Sequence, residues 1–513
     1  MSRTRPNILL ITSDQQHYDT LGIENPRIHT PNLDRLCREG TRFSRAYCPN
    51  PTCTPTRATL LTGLMPSQHG AWTLGTKLRE DLPTLPGLLS KEGYYTGLIG
   101  KAHFQPLRGN DQYPSIERHP LLRDLEFWRN FRGGWYGFDR VETARMHADE
   151  GHAGGHYAVW MEDKGFSNWQ DYFQHPDQMS DERRKEYTHS DPRKWDLPEE
   201  FHYTTWTGER TVAMMDEALA EEKPFMIWSS FHDPHPPYIV SEPWASMYDP
   251  EQMQPGRRTP GEHDHNPDHF RYAAQERNPQ YWQEACQDQG AIHGGEFQAG
   301  YSETDLKKDM ACYYGMVSFM DKEIGRILDA LDERGLTENT LVVFTTDHGH
   351  FLGQHGLIAK AIHHYEDLLR IPFVVRYPGR VPAGERSSDL QNLVDLPRTF
   401  IEATGREAPF HIQGVDQMSS WQGKGAVRSD SITENHHGYT RFHMNTLVTD
   451  RYKLTVHRDS DQGELFDLQE DPEELHNLWQ AESAATLKSE LLLRYARSQM
   501  AAEPMQMPRL SGA

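Results

Sequence analysis

Short apolar runs, each ended by polar residues, recur along most of the chain. They lie at residues 7–13, 96–99, 225–230, 340–345 and 372–375. Runs of this length are typical of strands that are buried on both faces of a parallel sheet. Between them, residues 313–334 carry apolar side chains at helical spacing and are followed by Gly335, which predicts an amphipathic helix.

Strands that alternate with helices predict an α/β fold, a large and mostly parallel sheet with helices on both faces. We expect this domain to span residues 1–408. Two stretches of it, at about 108–201 and 241–303, are polar, rich in Trp, Tyr, His and Pro, and lack clear periodicity, so they predict long insertions that carry specificity. Beyond them, short strand-like pieces predict a smaller C-terminal α+β domain at 409–513 with an antiparallel sheet.

The composition narrows the class of protein and its partners. With 513 residues, 36% of them hydrophobic and 25% charged, the chain is long enough for a large domain and a smaller one. A formal net charge of −22 disfavours nucleic acid and anionic membranes as partners, so an anionic substrate needs a local positive pocket. The five cysteines predict no disulfide framework, and no apolar run suits a signal peptide or a membrane span. We therefore expect a cytoplasmic protein, and the composition leaves open whether it forms a homo-oligomer.

The segment 53–63 (CTPTRATLLTG) carries the strongest chemical signal in the sequence. Pro55 predicts a turn that leads into a helix, and the positive end of that helix and Arg57 then lie beside Cys53. These surroundings favour an anion at Cys53. A cysteine at the start of a helix is more often structural than reactive, however, so the position alone does not decide its role.

Two pairs of polar residues follow predicted strands: Asp14 and Gln15 after the first strand, and Asp347 and His348 shortly after the fourth. The carboxyl ends of parallel strands meet at one edge of a sheet, which is where ligands bind in α/β proteins. Carboxylate and amide oxygens suit a hard divalent cation, and a His ligand shifts the preference towards Mn²⁺ or another transition metal. An Asp after a strand is also a capping residue about as often as it is a ligand.

Four basic residues complete the candidate site. They are Lys101, His103, His235 and Lys360. Taken singly, a lysine is mostly a solvated surface residue, and a histidine mostly lies at the surface or in a satisfied core site. All four follow strand-like runs, and a catalytic role for them is implied by the resemblance described below. Six other histidines match no such position, and we expect them at the surface or behind the site: His232, His263, His265, His269, His363 and His364.

Together these motifs resemble the type I sulfatases of the alkaline phosphatase superfamily. The core of the resemblance is Cys-x-Pro-x-Arg at 53–57 with its downstream Leu-Thr-Gly, where the family usually has Ser at the position of Thr56. Further matches are Gly-Lys-x-His at 100–103, Pro-His-x-Pro at 234–237, a second lysine at 360 and the C-terminal stretch 463–478. Classical sulfatases carry Asp-Asp and Asp-Asn where this chain has Asp-Gln and Asp-His, a pattern similar to the phosphonate monoester hydrolase branch.

The resemblance implies an alkaline phosphatase-like fold and a covalent mechanism. Cys53 would be oxidised to formylglycine by the formylglycine-generating enzyme, and the hydrated aldehyde, supported by Arg57, would attack sulfur or phosphorus. One divalent metal, Ca²⁺ or Mn²⁺, would assist this step. The residues at the family's metal positions are Asp14, Gln15, Asp347 and His348.

The resemblance also assigns roles to the four basic residues. Lys101 and Lys360 would neutralise charge on the transferred group. His235, together with Lys360, would protonate the leaving alcohol, and His103 would help to remove a proton from the remaining diol hydroxyl. An aryl leaving group would suit the aromatic stretch 128–169, whose Trp residues equally suit a packing role.

The implied activity is hydrolysis of sulfate monoesters, above all aryl sulfates, with promiscuous cleavage of phosphodiesters or phosphonate monoesters. All of these groups are tetrahedral and singly negative, and the basic residues recognise charge and shape more than the central atom. One alternative is a primary phosphonate monoester hydrolase or phosphodiesterase. A second is a two-metal phosphatase or phosphomutase with a Ser or Thr nucleophile, which needs more ligands than the sequence offers. A third is an anion-binding relative without activity, which would not need the cysteine, both lysines and the acid together.

Overall fold

The computed structural model describes residues 5–147, 151–173, 194–270, 302–360, 362–437 and 442–503. Its strands are β1 (Asn7–Ser13), β2 (Thr41–Phe43), β3 (Ala46–Tyr47), β4 (Tyr95–Lys101), β5 (Arg140–Ala144), β6 (Lys194–Trp195), β7 (Phe225–Ser230), β8 (Val240–Ser241), β9 (Thr340–Thr346), β10 (Arg370–Ile371), β11 (Phe373–Arg376), β12 (Glu385–Ser387), β13 (Gln391–Asn392), β14 (Ser431–His436), β15 (His443–Val448), β16 (Tyr452–His457) and β17 (Gly463–Asp467). Its α-helices are α1 (Pro31–Glu39), α2 (Cys53–Thr62), α3 (Pro66–His69), α4 (Leu85–Lys91), α5 (Leu125–Asn130), α6 (Gly155–Asp163), α7 (Tyr203–Ala220), α8 (Glu303–Glu333), α9 (Glu366–Leu369), α10 (Leu396–Ala403), α11 (Met418–Trp421) and α12 (Ala485–Ala501).

An eight-stranded sheet forms the centre of the molecule, in the order β12-β2-β11-β9-β1-β7-β4-β5. The strands from β9 to β5 in this order are parallel to one another. β11 runs antiparallel to both β9 and β2, so the apolar run at 372–375 is a strand, but not one of the parallel set. Helices cover both faces, and the predicted α/β fold with a large, mostly parallel sheet is confirmed.

Successive residues of β1 face opposite sides of this sheet. Ile8 and Leu10 pack in the core that also contains residues of α2, α4 and α10. Leu9 and Ile11 pack in a second core with residues of α1, α7 and α8. Because both faces of the strand are buried, its sequence is a continuous apolar run instead of the alternating pattern of a half-exposed strand.

A second sheet near the C-terminus has four antiparallel strands, in the order β14-β15-β16-β17. α12 packs on it through Leu491, which shares an apolar cluster with Leu447. β14 also contacts the chain beside the main sheet, since the backbone N–H of Glu434 donates to the carbonyl of Pro49 at 2.8 Å. The C-terminal sheet thus supports the segment that leads to Cys53.

The helices and the irregular stretches extend or correct the expectations from the sequence. α8 begins at Glu303, well before the predicted start, because Ser302 caps a first turn that has no apolar pattern. β5 lies inside the stretch 108–201 and forms an edge of the main sheet. Trp128 and Trp169 are at most 1% exposed and pack against Phe127 and Phe173, so these aromatic residues serve as packing residues. None of the described helices is long and apolar enough to cross a membrane.

Candidate active site

Most of the predicted site residues lie at the carboxyl ends of parallel strands, along one edge of the main sheet. Asp14 follows β1, Asp347 follows β9, and Lys101 is the last residue of β4. His103 comes shortly after β4, and His235 comes after β7. Asp14, Lys101 and Asp347 are 0% exposed. Neighbouring strands therefore deliver charged side chains to one buried place, as is usual for ligand sites in open α/β sheets.

Cys53 is the first residue of α2, and Pro55 lies in the first helical turn instead of in a turn before it. Proline is tolerated there because the first N–H groups of a helix have no partner within the helix. The segment before the helix is fixed by Asn50, whose Oδ1 accepts from the backbone N–H of Thr52 at 2.8 Å. Thr56 Oγ1 donates to the Asn50 carbonyl at 2.6 Å, so Thr supplies here a hydroxyl that Ser would also offer.

Arg57 joins the two strand ends that carry the carboxylates. Its Nε donates to Asp347 Oδ2 at 2.9 Å and its Nη2 to Asp14 Oδ2 at 3.0 Å. Its Nη1 donates to the Lys101 carbonyl at 2.8 Å and to Ser230 Oγ at 2.7 Å. Burial disfavours the charged guanidinium, but Asp347 and Asp14 raise the pKa of Arg57 above its ordinary value. Arg57 therefore stays charged and compensates two buried carboxylates.

The metal prediction can be tested against the donor atoms. Asp14, Cys53, Asp347 and His348 each offer one ligand atom, and these atoms lie within 4.8 Å of one another. Gln15 has both side-chain amide atoms buried without a hydrogen-bond partner among the described residues. Buried polar atoms are rarely left unpaired, so this amide suits a ligand that is bound there. Two carboxylates, an amide oxygen and an imidazole fit one divalent cation.

Two lysines approach the Cys53 thiol from different parts of the chain. Lys360 Nζ lies 2.9 Å from Sγ, and Lys101 Nζ lies 3.7 Å from it. Lys101 also forms an ion pair with Asp14. Burial raises the pKa of the Cys53 thiol, but the two lysines outweigh this effect and hold its pKa below the ordinary value. Such positive surroundings are typical of reactive cysteines and not of structural ones.

His235 and His147 form a stacked pair beside the lysines. The His235 Nδ1 atom contacts the Pro236 carbonyl, and its Nε2 lies 3.1 Å from Lys360 Nζ. A carbonyl only accepts, so Nδ1 carries the proton and Nε2 accepts from Lys360. His147 lies against His235 with ring centroids 3.8 Å apart, and its Nε2 is 2.7 Å from Lys101 Nζ. Burial lowers the pKa of both imidazoles well below the ordinary value, so both are neutral.

His103 lies on a loop that is held from behind by Glu117. The backbone N–H groups of His103 and Gln105 donate to the two carboxylate oxygens of Glu117, at 3.0 and 2.8 Å. Burial lowers the pKa of His103 well below its ordinary value, and the charge of Arg145 lowers it further. The His103 Nδ1 atom is buried and has no hydrogen-bond partner among the described residues. Within those residues, no hydrogen bond joins His103 to Cys53.

Two residues at the site escaped the sequence analysis. His147 follows β5. Its sequence signal is that of a polar residue after a short strand-like run, and it was missed because the surrounding stretch lacks regular periodicity. Tyr313 donates to the Gln15 carbonyl at 2.9 Å and accepts from the backbone N–H of His17 at 2.8 Å. It thereby fixes Gln15, whose φ is +60°. The helical pattern around Tyr313 contains no sign of this role.

The six histidines outside the predicted set are mostly not at the surface. His232, His263, His269, His363 and His364 are buried, and only His265 among the six is exposed. His232 lies behind the site, with its Nε2 at 3.2 Å from the Ala144 carbonyl. His364 contacts Thr446 of the C-terminal sheet at 2.6 Å. A surface position is therefore wrong for five of the six, whereas His232 lies behind the site, which was the other expected place; a neutral imidazole is tolerated in the interior more readily than a charged one.

Comparison with known proteins agrees with this geometry. The sulfatase family model matches residues 6–406, and the model of the C-terminal part of N-sulphoglucosamine sulphohydrolase matches residues 353–501. An arylsulfatase of Clostridium perfringens is 28% identical over 484 residues, which cover 93% of this chain and 91% of the relative. The multifunctional alkaline phosphatase superfamily protein PehA of Trinickia caryophylli is 30% identical over 510 residues, with 93% and 91% covered.

Solved structures give the same fold. The phosphonate monoester hydrolase of Agrobacterium radiobacter superimposes with a TM-score of 0.74 at 22% identity, covering 97% of this chain and 96% of its own. The phosphonate monoester hydrolase SpPMH from Silicibacter pomeroyi superimposes with a TM-score of 0.75, also at 22% identity, covering 97% and 95%. At these identities the likeness establishes the architecture, and the chemistry has to be argued from the site.

Proposed function

Because the chain belongs to the sulfatase family of the alkaline phosphatase superfamily, a family of sulfuric ester hydrolases, we propose that it hydrolyses aryl sulfates with a nucleophile made from Cys53. One observation carries this proposal. Lys360 and Lys101 lie 2.9 and 3.7 Å from a buried Sγ atom at the first residue of a helix. Two cations and a helix N-terminus around one nucleophilic position form a receptor for a tetrahedral anion that is about to react.

We propose that Cys53 is converted to formylglycine by the formylglycine-generating enzyme. Cys53, Pro55 and Arg57 at the family spacing support this conversion. Cys53 is 1% exposed in the folded chain, so the modifying enzyme has to act before the chain closes around it. An aldehyde at this position takes up water, and the hydrate offers an oxygen nucleophile that a thiol does not.

One divalent ion, Ca²⁺ or Mn²⁺, is part of the same proposal. The residues that would hold it are Asp14, Gln15, Asp347 and His348. Ligand atoms of the two aspartates and the histidine lie within 4.8 Å of one another and of the Cys53 thiol, and the Gln15 amide is buried without a partner among the described residues. When bound, the ion would stabilise negative charge on the attacking oxygen. Arg57 keeps the two carboxylates in place through its bonds to both of them.

The remaining residues of the site bind the transferred group and move a proton. Lys101 and Lys360 donate to the nonbridging oxygens of the ester, which concentrates positive charge where negative charge develops. His235 accepts a hydrogen bond from Lys360 at Nε2, so the two side chains share the proton that the leaving oxygen needs. His103, with a free Nδ1 in the described structure, takes a proton from the hydrate at residue 53 in the collapse of the covalent intermediate.

A second activity is favoured by the make-up of the metal group. Gln15 and His348 are neutral ligands, so the group carries two carboxylates and less negative charge than the Asp-Asp and Asp-Asn pattern of classical sulfatases. Phosphodiesters and phosphonate monoesters have the tetrahedral shape and single negative charge of a sulfate monoester, so the basic residues of this site can bind them as well. We therefore propose that phosphodiesters or phosphonate monoesters are hydrolysed in the same site.

The test is an assay of matched aryl esters with the mature, metal-loaded protein. We expect turnover of an aryl sulfate and measurable turnover of an aryl phosphodiester or phosphonate monoester. Cys53→Ala should reduce all of these rates by about 10⁴-fold or more, because the covalent step has no substitute. Cys48→Ala is the matched control, since Cys48 is equally buried but packs in the apolar core, where its thiol donates to the Leu368 carbonyl. Activity that survives in Cys53→Ala contradicts the proposal, and strict activity on one ester class contradicts its promiscuous part.

The net charge of −22 bears on where and with what the protein acts. We propose small anionic esters as substrates, with neither nucleic acid nor a membrane surface as a partner, because long-range repulsion opposes both. A cytoplasmic location belongs to the same proposal. Fractionation of the source cells with an antibody against the chain tests it, and recovery outside the cytoplasm contradicts it.

A further inference from the structure

Arg145 lies at the same edge of the sheet as the proposed active site but has no role in the mechanism above. It directly follows β5 and is 6% exposed. Its guanidinium donates no hydrogen bond to any residue that the structure describes, and its Nε is buried without a partner. Among those residues, the carboxylate within ion-pair distance is that of Glu117, whose Oε1 lies 3.8 Å from Nε.

Glu117 does not satisfy this arginine. Its two oxygens already accept from the backbone N–H groups of His103 and Gln105, at 3.0 and 2.8 Å. A guanidinium presents five N–H donors in a fixed plane. Buried donors are rarely left without an acceptor. The residues that the structure describes therefore leave N–H groups of Arg145 open to an anionic ligand.

The position of Arg145 indicates which anion this is. Its neighbour Ala144 pairs in register with Lys101, so Arg145 lies one strand further out than the lysine that meets Cys53. His147, two residues later, stacks on His235, which serves the leaving alcohol in the proposed mechanism. Burial lowers the pKa of both His103 and His147, and the charge of Arg145 contributes to both shifts. Arg145 thus lies near His103 and, through His147, near the histidine that serves the leaving alcohol.

We propose that Arg145 determines specificity by binding a second anionic group, a carboxylate or a further sulfate, on the leaving alcohol of the substrate. This inference rests on the proposed function, since it assigns the substrate class of the same site. The planar fork of arginine matches a carboxylate or sulfate with two parallel hydrogen bonds. It also offsets the repulsion that a chain with a net charge of −22 exerts on a dianionic substrate.

The experiment compares four aryl sulfates that differ in one substituent. They are 4-nitrophenyl sulfate and its 3-carboxylate, 3-carboxamide and 3-sulfonate derivatives, where the carboxamide is a neutral match for the carboxylate and the sulfonate stands in for a second sulfate. The mature, metal-loaded protein is measured as wild type, Arg145→Gln and Arg145→Lys. Arg129→Gln is the control, because Arg129 lies on α5 with a side chain that is 41% exposed.

We expect wild type to prefer at least one of the two anionic derivatives over the carboxamide by about tenfold or more in kcat/KM. Arg145→Gln should abolish this preference, mainly through KM. For the unsubstituted ester and the carboxamide, which carry no second anion, kcat/KM should stay within about twofold of wild type. Arg145→Lys should retain part of the preference, because a point charge replaces the fork. The ratio between carboxylate and sulfonate shows which anion the site takes. A wild type without preference, or an Arg145→Gln effect of equal size on all four esters, overturns the inference.

Selectivity and binding separate this role from a structural one. Arg145→Gln removes the cation that faces the buried Glu117 carboxylate, so we expect some fall in the urea-unfolding midpoint; the selective loss of the preference for anionic derivatives is the readout that a structural role would not produce. A lowered midpoint together with uniform loss of activity marks Arg145 as structural and overturns the inference. If wild type hydrolyses none of the esters, the proposed function fails. Calorimetry with the product 3-carboxy-4-nitrophenol then tests Arg145 by itself: weaker binding to Arg145→Gln supports the anion site, and equal binding contradicts it.

Discussion

Two buried clusters of lysines and carboxylates lie in this molecule, and they balance their charges in different ways. The active-site cluster consists of Asp14, Arg57, Lys101, Asp347 and Lys360 around Cys53. The second, here called the joint cluster, consists of Tyr47, Glu366, Lys453 and Glu474. It lies where β16 of the C-terminal sheet meets β3 and α9.

The joint cluster balances its charges with its own residues. Lys453 forms ion pairs with both Glu474 and Glu366, and Tyr47 donates to Glu366 at 3.0 Å. The backbone N–H of Glu366 donates to Glu474 at 2.6 Å. Burial raises the pKa of Glu474 to about 8, so near neutral pH it holds a proton. One lysine then faces one charged carboxylate, so the charges of the cluster balance, although Glu474 Oε1 has an ion-pair contact with Lys453 and no hydrogen bond among the described residues.

The active-site cluster is unbalanced. Three cations face two carboxylates, and the Gln15 amide and the His103 Nδ1 atom are buried without partners among the described residues. Lys360 lies against Cys53, His235 and His348, and none of these offers it a carboxylate. Buried charge alone therefore does not mark a functional site. A surplus of positive charge together with unused polar atoms does, because both become satisfied when an anion and a cation bind.

The largest expected effect comes from breaking the metal group. Asp347→Ala removes a charged ligand and one carboxylate partner of Arg57, so metal content and activity should fall together, the latter by about 10³-fold or more. Elemental analysis of the purified variant and steady-state assays measure the two quantities. Full metal content with activity near wild type contradicts the assignment, and so do two tightly bound ions per chain in wild type.

A matched pair of lysine substitutions contrasts the two clusters. Lys453→Met leaves buried carboxylates without their cation and should lower the free energy of unfolding by about 3–5 kcal/mol, with the activity per folded molecule unchanged. Lys360→Met relieves a surplus of positive charge, so it should abolish most of the activity and leave the unfolding free energy unchanged or raised. Urea unfolding and aryl sulfate assays give both readouts. The reverse pattern, with Lys360→Met unstable and Lys453→Met inactive, would refute the comparison.

Replacement of the proposed acid gives a smaller and more selective effect. His235→Gln should slow the hydrolysis of esters with a poorly acidic alcohol by about 10²-fold, whereas 4-nitrophenyl sulfate should be affected much less, because nitrophenolate leaves without a proton. The measurement is the dependence of kcat/KM on the pKa of the leaving group. His364→Gln is the control, as a buried histidine that contacts the C-terminal sheet instead. An equal loss across all leaving groups argues against a proton-donating role.

The smallest effect concerns the pH dependence of stability in the joint cluster. The pKa of Glu474 is raised in the folded state, so the protonated form is favoured and its stabilising contribution is lost as pH rises from its unfolded value towards about 8. Glu474→Gln keeps a neutral side chain at every pH. Its unfolding free energy relative to wild type should therefore increase between about pH 5 and 8, by at most about 1.4 kcal/mol per pH unit. A constant difference over this range contradicts the raised pKa.

The sequence contained most of the information on the parallel strands, because strands buried on both faces are continuous apolar runs. β1 and β7 have the predicted bounds, and the polar residues after them lie at the site. β5 escaped prediction because it is a short edge strand within an irregular stretch. Arg145 and His147, which follow it, were therefore not identified as residues near the site. Burial of most of the unassigned histidines was also missed, since it depends on contacts between segments that are distant in the chain.

The site itself was predictable as a set of residues, but its balance of charge was not. Motif spacing indicated Cys53, Arg57 and the lysines, and strand ends indicated the carboxylates. Which carboxylate neutralises which cation follows only from distances across the sheet, such as the bridge that Arg57 makes between Asp14 and Asp347. The same holds for Tyr313, whose hydroxyl fixes Gln15 from a distant helix.

The most direct test of the account is mass spectrometry of the peptide that contains residue 53, taken from active protein made in a cell with the modifying enzyme. We expect this peptide to carry the mass of an aldehyde, and the modified fraction to track aryl sulfatase activity across preparations with different degrees of conversion. Full activity in a preparation whose residue 53 is entirely an unmodified thiol would contradict this expectation.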